Sequence, residues 1–285
     1  MEYQVLKRGD KGYPRRLAEC LGDKAPERLY FHGPLELLDR LTMAAVCSDQ
    51  SGGKALMATN QLLFTIREYE LNYIGGWHST LETEVFRLGL WRYNHTVTMF
   101  TAKGLAHETF ESYLRDRFYP PFDKIPEKKE YFRRAEANEL LVLSVVEPDV
   151  TRTLRPNVVQ RNWIACALAD LIFIPFAPKG SKTYALAKRI RKAGWPAFTL
   201  DDPMCAELHE LGVPGFNRKS VAQFLEGFGA KVTTMERKTI AQGPRDYVLR
   251  EALPPEKPQN TQGILPFASD KPASKRHRPA SRRRL

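Results

Sequence analysis

Between Thr42 and Gly212, short apolar runs alternate with longer stretches of helical periodicity, and this alternation narrows the choice of fold more than any other feature. The runs Met43–Cys47, Glu70–Ile74, Thr96–Phe100, Leu140–Val145, Leu171–Phe176 and Ala197–Leu200 are predicted strands. Helical patterns lie between and after them, near residues 53–68, 79–90, 107–117, 157–169, 182–193 and 203–211. Each strand is followed by enough chain for a helical crossover, which parallel neighbours require and a hairpin does not. The expectation is an α/β fold, a mostly parallel sheet with helices on both faces.

The ends read differently. Residues 1–41 are punctuated by Tyr13-Pro14, Ala25-Pro26 and His32-Gly33-Pro34, which suggests a short N-terminal cap before a main domain of residues 42–216. Residues 217–252 form a small C-terminal element with a helix around Arg218–Gly227 and strand-like runs near Lys231–Thr234 and Asp246–Leu249. From Leu253 to Leu285 the composition turns to Pro, Lys, Gln, Ser and Arg. Such a tail buries too little apolar surface to offset its ordering entropy, so disorder is expected there.

Hydrophobic residues make up 42% of the 285, enough for a real core, while no run approaches the ~20 apolar residues of a membrane span. The start, Met1-Glu2-Tyr3-Gln4, lacks the basic-then-apolar pattern of a secretory signal. Cys20, Cys47, Cys166 and Cys205 stand far apart with no CxxC pair, which argues against a disulfide framework or a zinc site. A cytoplasmic protein without metal or cofactor is the reading. The formal charge is +11, yet residues 271–285 hold seven cations and no acid, Arg276, Arg278, Arg282, Arg283 and Arg284 among them. Without those seven, 37 basic side chains face 33 acidic ones. The tail therefore carries most of the excess, and such a tail binds polyphosphate in a salt-sensitive way.

In a parallel sheet of this kind, ligands lie beyond the carboxyl ends of the strands. The residues following the predicted strands are Cys47-Ser48-Asp49-Gln50-Ser51-Gly52-Gly53-Lys54, Gly75-Gly76-Trp77-His78-Ser79, Thr101-Ala102-Lys103-Gly104 and Ala177-Pro178-Lys179-Gly180-Ser181-Lys182-Thr183. Glycine admits close approach of an anion, helix starts offer N–H donors, and lysines add charge. Gly180-Ser181-Lys182-Thr183 is not a Walker A loop, because a Ser separates Gly from Lys and Pro occupies position 175, so ATP hydrolysis is not predicted. Ser79-Thr80-Leu81-Glu82 has capping-box spacing. The alternative makes Glu82 an acid–base or ribose-binding carboxylate, with His78 as a phosphate donor and Trp77 stacking on a base. In Arg155-Pro156-Asn157-Val158-Val159-Gln160-Arg161-Asn162, Asn157 reads as an N-cap, and Arg161 and Asn162 lie one turn in.

Several of these segments together resemble the DNA-processing protein A (DprA/Smf) family. Tyr13-Pro14-Arg15-Arg16-Leu17 is similar to its Tyr-Pro-x-x-Leu opening, and Pro26-Glu27-Arg28-Leu29-Tyr30-Phe31-His32-Gly33 to the proline-led segment that follows. Arg161-Asn162-Trp163-Ile164-Ala165-Cys166-Ala167-Leu168 resembles the Arg-Asn-Arg hallmark, and Lys179-Gly180-Ser181-Lys182-Thr183 the small-residue turn after the next strand. Gly75–Glu82 and Leu200-Asp201-Asp202-Pro203 look like a divergent DprA-like branch of the Rossmann-like SLOG superfamily. The resemblance spans roughly residues 13–216. It implies a Rossmann-like fold, single-stranded DNA held in a basic pocket without catalysis, a homodimer, and a RecA-type recombinase as partner in DNA recombination or transformation. On that basis Arg161, Asn162, Lys179, Gly180, Ser181 and Lys182 become DNA-phosphate candidates, beside Gly75, Gly76, His78, Ser79 and Lys103. Two departures stand out: the family's Gly-Ser-Arg is here Cys47-Ser48-Asp49, and its second Arg is Trp163, with Lys54, Lys103 and Arg155 as the available substitutes. The superfamily also includes binders and hydrolases of nucleotide derivatives, the reading in which Glu82 would act. In the tail, Gln262-Gly263-Ile264-Leu265-Pro266-Phe267 resembles a bacterial sliding-clamp-binding peptide.

Overall fold

The computed structural model describes residues 2–91, 95–115 and 128–233. Nine strands form one sheet among them: β1 (Gln4–Lys7), β2 (Arg28–His32), β3 (Thr42–Ala45), β4 (Asn72–Gly75), β5 (Thr96–Phe100), β6 (Leu140–Ser144), β7 (Leu171–Phe173), β8 (Ala197–Leu200) and β9 (Gly215–Phe216). Their order is β1-β2-β6-β5-β4-β3-β7-β8-β9, parallel from β6 to β9 and antiparallel only at β1 and β2. The helices are α1 (Arg15–Leu21), α2 (Gly53–Ile66), α3 (Thr80–Trp91), α4 (Phe110–Arg115), α5 (Lys128–Glu136), α6 (Arg155–Leu168), α7 (Lys182–Lys192), α8 (Ala206–Glu210) and α9 (Arg218–Gly227). The expected α/β architecture is present.

The period of two along each strand divides the core into two layers. Met43, Tyr73, Val97, Met99, Leu140, Val142, Leu171 and Phe173 pack with residues of α2, α3, α5 and α9. Ala44, Ile74, Phe100, Leu141, Leu143, Ile172 and Ile174 pack with α1, α6, α7 and α8 on the other face. Crossovers between parallel strands are right-handed, so their direction across the sheet sets the face they cover. From β3 to β6 the chain moves one way; α6 then carries it back over β3 to β7. This reversal puts the switch point between β3 and β7, with the starts of α2, α3, α6 and α7 all at the carboxyl edge.

Several boundaries differ from the sequence reading. Strand β7 ends at Phe173 rather than Phe176, because Pro175 has no N–H to continue a ladder. Helix α6 begins at Arg155 with Leu154 as N-cap, so Asn157 is not the cap; Pro156 sits in the first turn, where its missing donor is harmless. Helix α5 lies in a stretch with no predicted helix. The first forty residues do not form a separate cap: β2 pairs with β6 (Tyr30 opposite Ser144), and Arg16 donates to the Ala169 carbonyl at 2.7 Å and pairs with Asp170 at 3.1 Å. Helix α9 matches its expected span, capped by Asn217 and Ser220. Of the run at 231–234, Val232 makes a single bridge to Tyr69. Asp246–Leu249, Gln262–Phe267 and the tail arginines lie outside the described residues.

Candidate nucleic-acid interface

At the end of β4 the chain runs Gly75-Gly76-Trp77, and both glycines are required by what lies on them. Trp77 turns back with φ +58°, uncommon for a residue with a side chain, and its buried indole comes against Gly75. A Cβ on Gly75 would sit 3.0 Å from that ring. Trp77 is 0% exposed and 5.5 Å from the Phe86 ring, so it is a core residue and offers no face to a base. The Arg161 guanidinium lies directly on Gly76: a Cβ there would fall 2.0 Å from Cζ and Nη1.

Arg161 is 1% exposed, and the resemblance-based picture of it as a phosphate ligand does not match this position. Its Nε donates to Asn162 Oδ1 at 3.0 Å, and its Nη1 lies 3.4 Å from the Phe100 carbonyl at the end of β5. Glu82 is its electrostatic partner. The Glu82 carboxylate is 5% exposed and accepts from Cys47 N at 2.9 Å and His78 N at 3.0 Å, while Ser79 Oγ accepts from Glu82 N at 3.2 Å. The Ser79 Oγ contact to Glu82 N is one arm of the predicted capping box, the Ser79 N–H facing the carboxylate is the other, and the carboxylate also binds the loop after β3. Burial raises its pKa, opposed first by Arg161 and then by the backbone donors of Cys47, His78 and Ser79. These groups fasten the ends of β3, β4, β5 and α6 to one another. Burial also pushes the Cys47 thiol well above its usual range, and Cys47 Sγ and Ser48 N both bond the Phe176 carbonyl, tying the loop after β3 to the loop after β7.

Lys103 follows β5 at the same edge, but it is committed. Its Nζ lies 2.6 Å from Glu108, the two side chains being 9% and 7% exposed. The backbone around it holds the next loop: Gly104 N donates to Val150 O at 2.7 Å and Ala106 N to Pro148 O at 3.0 Å. That loop leads into Arg152 and Arg155, both exposed at the start of α6. Lys179, Gly180 and Lys182 are exposed at the start of α7, Gly180 with φ +87°, and Ser181 is the N-cap accepting from Tyr184 N at 3.0 Å. Lys179 N is held by Glu207. Helices α6 and α7 lie side by side, since Trp163 stacks on Trp195 at 4.2 Å and carries the Arg189 guanidinium at 4.0 Å. Gly75, Gly76, Ser79, Glu82 and Arg161 therefore gather in one buried cluster. His78 is exposed above it, and Lys179–Lys182 stand along the same edge one helix away.

The surface charge at this edge runs against the helix dipole. Helices α2, α6 and α7 have no acid in their first turns, and α2 and α6 have no side-chain cap. Instead they begin with or follow cations: Lys54, Arg152, Arg155, Lys179 and Lys182. Lys54 pairs with Asp202 at 3.1 Å; the other four make no ion pair among the described residues. A helix start favours an anion and disfavours a cation, so this arrangement is a local cost that an anionic ligand would relieve. Arg152 is absent from the sequence-based candidates. Its signal was the Arg-x-x-Arg spacing before Pro156, legible only once the helix start is known. Among the described residues no group of three or more His, Cys, Asp or Glu could hold a metal, and no helix is long and apolar enough to cross a membrane.

Sheet order, switch point and helix layers define a Rossmann-like α/β protein whose strand order reverses between β3 and β7. Solved structures of the same fold are DNA processing protein A from Streptococcus pneumoniae and from Helicobacter pylori. The first shows a TM-score of 0.57 and 20% identity over 85% of this chain and 75% of that one. The second shows 0.60 and 22% over 80% and 97%. At these identities the likeness is one of fold. No protein-family model and no curated protein matches the chain.

Proposed function

We propose that this chain is a DprA-like single-stranded DNA-binding protein whose body takes the phosphate backbone along the carboxyl edge, on the starts of α6 and α7. The observation that carries the reading is the set of four exposed cations, Arg152, Arg155, Lys179 and Lys182, which make no ion pair among the described residues and stand at helix starts with no acid in their own first turns, Glu207 reaching only the backbone N–H of Lys179. The H. pylori neighbour is described as having a single-stranded DNA-binding mode, which agrees with that surface chemistry. In this reading Arg161 and Glu82 are positioning residues beneath the contact surface, and Asn162 orients Arg161. His78 and the Gly180-Ser181 turn offer donors beside the strand. The basic tail, 253–285, adds a salt-sensitive contact to the 42–216 body. A role in recombination or transformation, a homodimer and a RecA-type recombinase partner rest on the family resemblance, clamp docking through Gln262–Phe267 on the likeness of that peptide to a clamp-binding motif, and a cytoplasmic location on the composition.

The test is a titration of labelled oligothymidylate against the full chain at several salt concentrations. Replacing Arg155 and Lys182 by Ala is expected to weaken binding about tenfold and to flatten the salt dependence, each lost contact removing about 0.7 from the slope of log K against log salt. If only neutralising Arg276, Arg278, Arg282, Arg283 and Arg284 has an effect, the body is not the binding element.

A further inference from the structure

Helix α7 carries cations well beyond its first turn. Its eleven residues include Lys182, Lys188, Arg189, Arg191 and Lys192 and no acid. The macrodipole accounts for cations in the last turn. It does not account for the mid-helix Lys188, nor for the alignment of the set. Lys182, Arg189 and Lys192 recur at helical spacing along one exposed face, with Lys188 one turn before Lys192. Lys188, Arg189 and Lys192 make no ion pair among the described residues, and Lys188 instead stands 5.6 Å from the Tyr184 ring. Arg191 is set apart from them, its Nε directed at the Leu211 carbonyl at 3.4 Å.

Arg189 is also held in place. Its guanidinium lies 4.0 Å from the centroid of the half-buried Trp163, which stacks in turn on Trp195 at 4.2 Å and 28°. This Trp195–Trp163–Arg189 pile fixes the plane of an exposed cation and leaves its outer side to solvent. A guanidinium fixed in this way loses less freedom on meeting a phosphate or a base than a mobile side chain does.

We infer that the outward face of α7 is a second nucleic-acid contact surface, a track on which a single strand continues after leaving the carboxyl edge. The reading rests on the proposed function of that edge. The helix is about 16 Å long at ~1.5 Å per residue, room for several phosphates beyond those at the helix starts. Its partner is a polyphosphate chain rather than an isolated phosphate, because the cations are spread along the axis instead of converging on a point. Trp163, a departure from the family pattern at the edge, gains a role here as the support for Arg189.

The inference predicts a length dependence. Full-length protein is titrated with oligothymidylates of about 6 and about 24 nucleotides, the short one too small to occupy both surfaces. Lys188→Gln/Arg189→Gln/Lys192→Gln is expected to weaken the long ligand about tenfold and lower its salt slope by about 2, with less than a twofold change for the short one. Lys188→Gln/Lys192→Gln leaves the Arg189 pile intact and is expected to produce about two thirds of the change in slope. An unchanged long-ligand affinity, or equal losses at both lengths, would overturn the track. If those results accompany weakened binding by Arg155→Ala/Lys182→Ala, the edge stands and the track alone falls. If the wild type binds neither ligand at low salt, both fall together. Weakened binding of polyglutamate with DNA binding intact would overturn it in favour of an acidic protein partner.

Discussion

Replacing Gly76 by Ala is a severe test of how the buried edge is held. The backbone there needs no left-handed conformation, so the cost of a methyl group is steric alone. The new Cβ would stand 2.0 Å from Arg161 Cζ, 2.0 Å from Nη1 and 2.4 Å from Nη2, where contacts between such atoms prefer about 3.5–4.0 Å. The guanidinium must move by roughly 1.5–2 Å, and with 1% exposure it has no solvent to move into without displacing neighbours. Overpacking of this kind costs about 1–3 kcal/mol, and separating a buried pair about 3–5 kcal/mol. Because Arg161 can shift without abandoning Glu82 entirely, about 3 kcal/mol is expected, a fall in Tm of roughly 6–12 °C for a body of this size. Urea unfolding of Gly76→Ala, Arg161→Ala and the double variant is the assay. The double variant should be no less stable than Arg161→Ala alone, since the clash disappears with the guanidinium. A loss below about 0.5 kcal/mol in the single variant, or additive losses in the double, would refute the packing argument.

Two further outcomes follow from the same edge. Burial raises the Glu82 pKa, so its contribution to stability is fully present below the ordinary carboxylate value of about 4.3 and is lost as pH rises through the higher folded value. The difference in unfolding free energy between wild type and Glu82→Gln should therefore shrink with rising pH across that window; a difference that grows would mean that Arg161 and the backbone donors outweigh desolvation. Leu154→Asp should act in opposite directions on stability and binding. It supplies α6 with the missing side-chain cap, for about 1 kcal/mol in urea unfolding, and puts a negative charge where DNA phosphate is proposed to sit, lowering oligothymidylate affinity several-fold. Unchanged affinity would count against the start of α6 as a contact.

The parts of this protein legible from composition and period are those built by local rules. Thr96–Phe100 and Ala197–Leu200 match their predicted strands, and Arg218–Gly227 its helix, because apolar runs and helical spacing report burial directly. The gathering of Gly75, Gly76 and Ser79 at one edge followed from strand–helix alternation, since parallel strands put all their following loops at the same end. Long-range pairing was not legible in this way. Strand β2 joins β6 with Tyr30 opposite Ser144, and nothing local in residues 1–41 names a partner more than a hundred positions away. The depth of Arg161 was hidden for a similar reason. An arginine is exposed by default, and it is buried here because the β4–α3 stretch brings it a glycine surface and a carboxylate and the end of β5 a carbonyl. Residue types and their order therefore set the layers and the binding edge. Which charges face the ligand and which hold the edge together depends on contacts between distant segments, because the solvation of a charge is a property of its whole surroundings.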